Sequence, residues 1–149
     1  NTFVVLVNKD DQLLFNGELG EINLLKERAK EFLSNPNNLD NLPEKMTKDI
    51  PLLGTVEVSK GVISLQNDRG TSYEMYLMVQ NELTAAVNEL RDEMAKTKFG
   101  KAYVDCSEAQ REAIDKAIPI AISEAEPKNI GGNKEWQNLS KRIQARYLR

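Results

Sequence analysis

Histidine is absent from the 149 residues, and cysteine occurs once, at Cys106. The missing histidine removes the commonest general base, the commonest metal ligand and the usual pH switch near neutrality. A lone cysteine excludes an internal disulfide and any CxxC zinc or redox site, and Cys106 itself is expected to be a small packing residue. Aromatic residues make up only 6% of the chain, so aliphatic side chains must build the core.

Long apolar runs and an excess of basic charge are also missing. The longest apolar stretches have the length of a strand, whereas a membrane helix needs about 20 residues. Twenty basic and 23 acidic residues give a net charge of −3, which disfavours a nucleic-acid partner because phosphate binding requires a basic surface. The chain opens on Asn1 without a signal peptide and leads straight into an apolar run, so we expect that a preceding segment is missing.

The first part of the chain predicts a hairpin followed by a helix. Residues 3–7 and 12–15 are apolar runs on either side of a turn cluster at 8–11. The pair Asn16-Gly17 favours positive φ and is predicted to end the second strand. Apolar residues at spacings of three and four indicate an amphipathic helix over residues 21–33.

Residues 39–53 are polar and show no clear period, which indicates a long surface loop with one helical turn near residues 43–46. Two strands follow, over residues 54–59 and 62–66. Gly61 between them either forms a tight turn or separates the two strands in the sheet.

Two capping boxes predict the remaining helices. The box that begins at Thr71 predicts a helix to about Thr97, and Asp68 is expected to cap or brace the turn before it. The box that begins at Ser107 predicts a shorter helix to about Ile118. The inner face of the longer helix is predicted to carry Tyr73, Tyr76, Leu77, Leu83, Ala86, Val87, Leu90 and Met94.

A final strand is predicted over residues 120–125, and Pro127 with Gly131-Gly132 marks a joint. The joint divides the chain into a domain of residues 1–132 and an amphipathic, basic C-terminal tail of residues 133–149. The apolar face of the tail carries Trp136, Leu139, Ile143 and Tyr147. This face could dock on the domain or on a dimer mate, or the basic face could approach an anionic surface.

Strands and helices in mixed order predict an α+β fold. We expect a two-layer sandwich in which a mixed sheet of about five strands packs against two or three helices.

Recognisable catalytic and metal-binding motifs are missing. GxSxG, SxxK and glycine-rich phosphate loops do not occur. Neighbouring carboxylates such as Asp10-Asp11 are typical of solvated charges, and the turn at residues 67–70 lacks the spaced ligands of a calcium loop. We therefore expect no cofactor, and the sequence predicts a binding module rather than an enzyme.

The block of residues 61–73, GVISLQNDRGTSY, resembles the central signature of ExbD/TolR periplasmic domains. In that family an apolar strand ends in aspartate, a short turn follows, and tyrosine opens the next helix. Asp68 and Tyr73 occupy those positions. The opening hairpin, which ends in LLFNG, is similar to the first two strands of the family.

Further stretches at residues 79–83, 88–91 and 122–127 resemble the ExbD-like proteins of Bacteroidetes-type bacteria. The resemblance covers most of residues 2–132, whereas the loop at 39–53 and the helix from Ser107 exceed the compact pattern of the family.

The resemblance implies the periplasmic domain of an inner-membrane protein from a Gram-negative bacterium. Family members carry one membrane helix with a functional aspartate, which would lie upstream of Asn1. With an ExbB-like proton channel subunit they couple the proton-motive force to a TonB-like periplasmic protein that serves outer-membrane transport. The domain is accordingly expected to form a homodimer and to bind a TonB-like partner.

An exposed sheet edge could bind an extended segment of that partner through backbone hydrogen bonds. We expect the strand at residues 62–66 or the strand at residues 120–125 to provide the edge. The candidate partner-binding residues are Val62, Ile63, Ser64, Leu65, Gln66, Asp68, Tyr73, Ile120 and Ile122.

Other functions stay open at this stage. A TolR- or MotB-like domain would bind peptidoglycan and anchor an envelope machine. A small enzyme of an unrecognised type and a structural assembly domain without energy coupling are the further alternatives.

Overall fold

The computed structural model describes residues 2–127. In chain order the elements are β1 (Thr2–Val7), β2 (Leu13–Phe15), β3 (Glu18–Gly20), α1 (Ile22–Ser34), β4 (Lys45–Ile50), β5 (Gly54–Ser59), β6 (Val62–Asn67), α2 (Tyr73–Phe99), a 3₁₀ turn (Tyr103–Asp105), α3 (Glu108–Ala117) and β7 (Ile122–Glu124).

The main sheet has five strands in the order β3-β2-β1-β6-β7. β1, β6 and β7 run parallel, whereas β2 is antiparallel to both of its neighbours. The β1–β6 pairing extends from Thr2 against Val62 to Val7 against Asn67. Parallel strands require crossover connections, and α1 and α2 lie in these connections.

The two longer helices cover one face of the main sheet. Every second residue of β1 and β6 points towards them, because side chains alternate between the faces of a strand. The resulting core consists of Phe3, Val5, Val7, Leu13, Phe15, Leu25, Ala29, Phe32, Leu33, Ile63, Leu65, Val79, Leu83, Ala86 and Val87. This arrangement is an α+β sandwich with a mixed five-stranded sheet, which confirms the predicted fold class.

The start of α2 differs from the predicted capping box. Ser72 is the N-cap, and its hydroxyl accepts the Met75 N–H at 3.0 Å. The hydroxyl of Thr71 instead donates to the carbonyl oxygens of Val7 and Asn8, at 3.1 and 3.0 Å. The predicted Thr71 cap is therefore wrong, because this side chain ties the turn to the end of β1.

α3 packs on a separate two-stranded ribbon made of β4 and β5. The helix begins with the predicted capping box, in which Ser107 and Gln110 each bond the backbone N–H of the other. The small core between the helix and the ribbon contains Ile50, Val56, Val58, Ala113 and Ala117.

The loop predicted over residues 39–53 is wrong in its second half. Lys45–Ile50 form β4, which pairs with β5 along all six of its residues. The KMTKDI sequence conceals the strand because four of its six side chains are exposed, and β5 contributes most of the apolar side chains of the ribbon.

Gly61 connects the two sheets rather than forming a tight turn. β5 belongs to the ribbon and β6 to the main sheet, so the strands on either side of Gly61 lie apart. A Cβ atom at this position would lie 2.6 Å from Pro43 Cγ and 2.8 Å from Phe32 Cε2. The close approach of these two side chains explains the glycine.

Sequence patterning does not show β3. Asn16 and Gly17 have φ values of 49° and 88°, and they turn the chain back against β2 instead of ending the hairpin. Positive φ at two successive residues is typical of a two-residue hairpin turn. β3 itself is short and has no buried residue, so its sequence carries little strand signal.

Candidate partner-binding edge

β6, the first strand expected to offer an edge, lies inside the main sheet. It pairs with β1 on one side and with β7 on the other. The expectation that residues 62–66 provide a free edge is therefore wrong, because two neighbouring strands flank them. The order of the strands in the sheet determines which strand lies at an edge, and the apolar pattern of a single strand does not reveal that order.

The side chains of β6 divide between the two faces of the sheet. Ile63 and Leu65 are buried beneath the helices. Ser64 and Gln66 are half-buried and Val62 is exposed, and all three lie on the opposite face. Of the five predicted residues in β6, only Val62, Ser64 and Gln66 could contact a partner.

β7 is the outermost strand beside β6 within residues 2–127. The Ala121 carbonyl accepts a hydrogen bond from a backbone N–H of β6 at 2.7 Å, and the Ala125 N–H donates to a backbone carbonyl of β6 at 3.1 Å. Successive residues of a strand direct their backbone groups to opposite sides. The N–H and C=O groups of Ile122 and Glu124 therefore point away from the sheet.

Two tyrosines at the start of α2 lie beside the end of β7. The Tyr76 hydroxyl donates to Glu124 Oε2 at 3.2 Å and accepts from Gln80 Nε2 at 3.2 Å. The Tyr73 ring stacks on the Tyr76 ring, with centroids 6.4 Å apart and planes at 22°. Burial and the Glu124 carboxylate raise the pKa of Tyr76, so its phenol keeps the donated proton at neutral pH.

Tyr73 does not lie on the inner face of α2 as predicted, since it is 73% exposed. Leu77 follows one helical turn later, and residues four apart share a flank of a helix. Leu77 and Ile120 are also exposed, with Ile120 at 65%. We use the name β7 edge surface for Ile120, Ile122 and Glu124 in and before the strand, together with Tyr73, Tyr76 and Leu77 of α2.

Asp68 lies outside the β7 edge surface. It is only 7% exposed, and its carboxylate accepts the Gly70 N–H at 2.7 Å. Nearby, the Asp11 carboxylate accepts the Ser72 N–H at 2.8 Å. Asp68 thus braces the turn between β6 and α2, the structural role considered for it from the sequence.

β3, β4 and β5 also pair on one side only within the described part of the chain. β4 has six residues, and four of their side chains are exposed. Its residues include Lys45 and Lys48, and edge lysines are a common device against strand pairing. β7 differs because apolar and aromatic side chains flank its edge.

A cavity of about 360 Å³ lies between α2, the β5 strand and the connection from α3 to β7. Leu90, Met94 and Ile118 are among the apolar side chains that line it, and Lys98 is among the charged ones. Ala121 also lines the cavity, so it lies directly behind the start of β7.

Residues 2–127 contain neither a candidate metal site nor a candidate membrane span. The described residues contain no group of three or more His, Cys, Asp or Glu side chains that could hold a metal ion. Among the described helices, none has the length and apolar character needed to cross a membrane. Cys106 is buried, and its thiol donates to the Ala102 carbonyl at 3.4 Å, as expected of a packing residue.

The joint after Pro127 and the tail of residues 133–149 lie outside the described residues. Comparison of the chain with family models, with curated proteins and with solved structures gave no match. The ExbD/TolR resemblance therefore stands on the sequence features alone.

Proposed function

We propose that this chain is a binding domain, not an enzyme, and that it binds an extended partner segment along β7. The observation that carries the proposal is the outer side of β7, which pairs with no other strand within residues 2–127. The stacked rings of Tyr73 and Tyr76 lie beside this edge. A partner segment would add a sixth strand to the main sheet.

The backbone of β7 limits the strength of this interaction. Ile122 and Glu124 offer two outward N–H and two outward C=O groups, and each hydrogen bond contributes about 0.5–1.5 kcal/mol net. Four such bonds give about 2–6 kcal/mol before the ordering of the partner is counted. Side-chain contacts with the two tyrosines and Leu77 must supply the remaining affinity and the specificity.

Charge at the edge favours a basic or neutral segment. Glu124 and Glu126 are both exposed at the end of β7, and a partner with lysine or arginine at this point would gain electrostatic complementarity. An acidic segment would be repelled there.

The partner we propose is a TonB-like periplasmic protein. The domain would belong to an ExbD/TolR-type inner-membrane protein of a Gram-negative bacterium, form a homodimer and relay force from an ExbB-like proton channel subunit. The sequence resemblance supports this assignment. It is also supported by the contact between the two stretches that carry it, because β1 of the opening hairpin pairs with β6 of the central signature.

A matched pair of variants tests the edge. Glu124→Pro removes an outward N–H and places a ring at the edge, a position where proline does not break the ladder with β6. Glu124→Ala keeps the N–H and removes the same carboxylate. Isothermal titration with the periplasmic segment of the cognate TonB-like protein should show binding at least about tenfold weaker for Glu124→Pro than for Glu124→Ala, a difference of about 1.4 kcal/mol.

Equal affinity of the two variants would overturn strand addition at β7. Absence of any binding to the TonB-like segment, combined with co-sedimentation of the domain with purified sacculi, would favour the peptidoglycan-binding alternative instead.

A further inference from the structure

The cavity behind the start of β7 lies at the junction between the two apolar cores of the domain. Leu90 of α2 packs against the core of the main sheet, Met94 packs against the core of the ribbon, and Ile118 packs against both. All three side chains line the cavity and are half-buried. Apolar surface that faces a cavity gains free energy when an apolar ligand removes it from water.

The volume of the cavity sets the size of a ligand. About 360 Å³ falls within the roughly 300–1,000 Å³ that is typical of small-molecule sites. A dry cavity of about 150 Å³ holds one benzene ring, so this space suits an apolar body of about ten carbon atoms. A phospholipid with two long acyl chains is too large for it.

Two polar side chains of the ribbon lie next to each other at the cavity. Lys45 of β4 lies directly opposite Ser59 of β5, and both residues line the cavity. The Ser59 hydroxyl accepts the Gly61 N–H at 3.1 Å, which orients the hydroxyl and leaves its own proton to donate. A hydroxyl donor beside an ammonium group suits a carboxylate.

The charges around the cavity favour an anion. Lys98 in the last turn of α2 lines the cavity, as do Glu57 and Glu93. Lys30 pairs with Glu93 at 2.9 Å and compensates its charge. Among the other described residues that line the cavity, Lys45 and Lys98 provide two positive charges against the one negative charge of Glu57. An anionic group therefore gains electrostatic complementarity there.

We propose that this cavity binds a medium-chain carboxylate, an amphipathic anion with an apolar body of about ten carbon atoms. The apolar body lies on Leu90, Met94 and Ile118, and the carboxylate contacts Lys45 and Lys98. The site lies behind β7 and does not use the outward backbone groups of that strand, so it is independent of strand addition at the edge.

Decanoate, below the concentration at which it forms micelles, is the probe. Methyl NMR signals of the full-length chain should shift at Leu90 and Ile118. They should stay unchanged at Leu19 and Leu52, which are 74% and 61% exposed and do not line the cavity. Octanoate has two methylenes fewer and should bind about tenfold more weakly. Shifts at the exposed leucines as well, or no shifts at all, overturn the proposal.

Two matched pairs of variants test the contact with the carboxylate. Lys98→Gln removes a lysine that lines the cavity, and Lys96→Gln removes another exposed lysine from the same helical turn. Lys45→Gln and Lys48→Gln form the equivalent pair on β4. Each variant of a lining lysine should bind decanoate about two- to fivefold more weakly than its control. Unchanged affinity in a Lys45→Gln, Lys98→Gln double variant, or equally tight binding of uncharged decanol, overturns the assignment of an anion.

A filled cavity provides the steric test. Ala121→Phe places a ring in the cavity, whereas Ala125→Phe changes an alanine at the other end of β7 that does not line it. Decanoate should bind to Ala125→Phe and fail to bind to Ala121→Phe, and equal binding to both overturns the site. Anionic phospholipid vesicles should leave the Leu90 and Ile118 signals of the parent unchanged. Shifts of these signals with vesicles would identify a membrane lipid as the ligand and overturn the free carboxylate.

Discussion

Gly61→Ala is expected to destabilise the domain through steric overlap at the junction of the two sheets. The added Cβ would lie 2.6 Å from Pro43 Cγ and 2.8 Å from Phe32 Cε2. Phe32 is 3% exposed and packs edge-on against Phe3, so its ring has little room to move. Overpacking of this kind costs about 1–3 kcal/mol, a large share of the roughly 5–15 kcal/mol that stabilises a domain.

Urea unfolding followed by circular dichroism measures this loss as a lower midpoint at an unchanged slope. Phe32→Leu provides the control, because a smaller side chain leaves space for the new methyl group. In a double-mutant cycle the two changes should be less destabilising together than the sum of the single changes. A neutral Gly61→Ala variant, or strictly additive effects, would refute the steric explanation.

Two further predictions concern the contacts between α2 and the segment before α3. The Tyr103 backbone N–H and Lys96 hold the pKa of Asp92 below its ordinary value of 3.8, so Asp92 adds stability above the unfolded pKa that is lost as pH falls through the lower folded pKa. Asp92→Asn should therefore be destabilising near neutral pH. The urea midpoints of the variant and the parent should converge below about pH 4. A difference between the two midpoints that does not change with pH would contradict this explanation. Tyr103→Phe removes the hydroxyl that donates to Asp115 at 2.7 Å, while Arg91 still pairs with that carboxylate at 3.2 Å. Thermal or urea unfolding should therefore show a free energy of unfolding that is lower by about 1 kcal/mol. An unchanged midpoint would contradict this prediction.

The sequence predicts those elements whose signal is local. α1 follows from its apolar spacing, and Leu25, Ala29, Phe32 and Leu33 are its buried residues. The Ser107 capping box also appears where expected, because a cap depends on a few neighbouring residues. The apolar runs of β1 and β6 predict strands for the same reason.

Features that depend on distant residues escape prediction. β4 reads as a loop because its partner β5 supplies most of the apolar side chains of the ribbon. The spacing of Tyr73 on the helix predicts a core residue, yet the helix has only just begun at that point and the ring stays in water. The position of β6 inside the sheet is a property of strand order, and only the structure distinguishes it from the outer strand β7.

Amide hydrogen exchange along β7 tests strand addition most directly. In the free domain the Ala125 N–H, which donates to β6, should exchange more slowly than the outward N–H groups of Ile122 and Glu124. Adding the periplasmic segment of the TonB-like partner should slow exchange at Ile122 and Glu124 and leave β3 and β4 unchanged. Slower exchange at β4 or β3 instead, or no change at Ile122 and Glu124 in a complex that has formed, would contradict binding at the β7 edge.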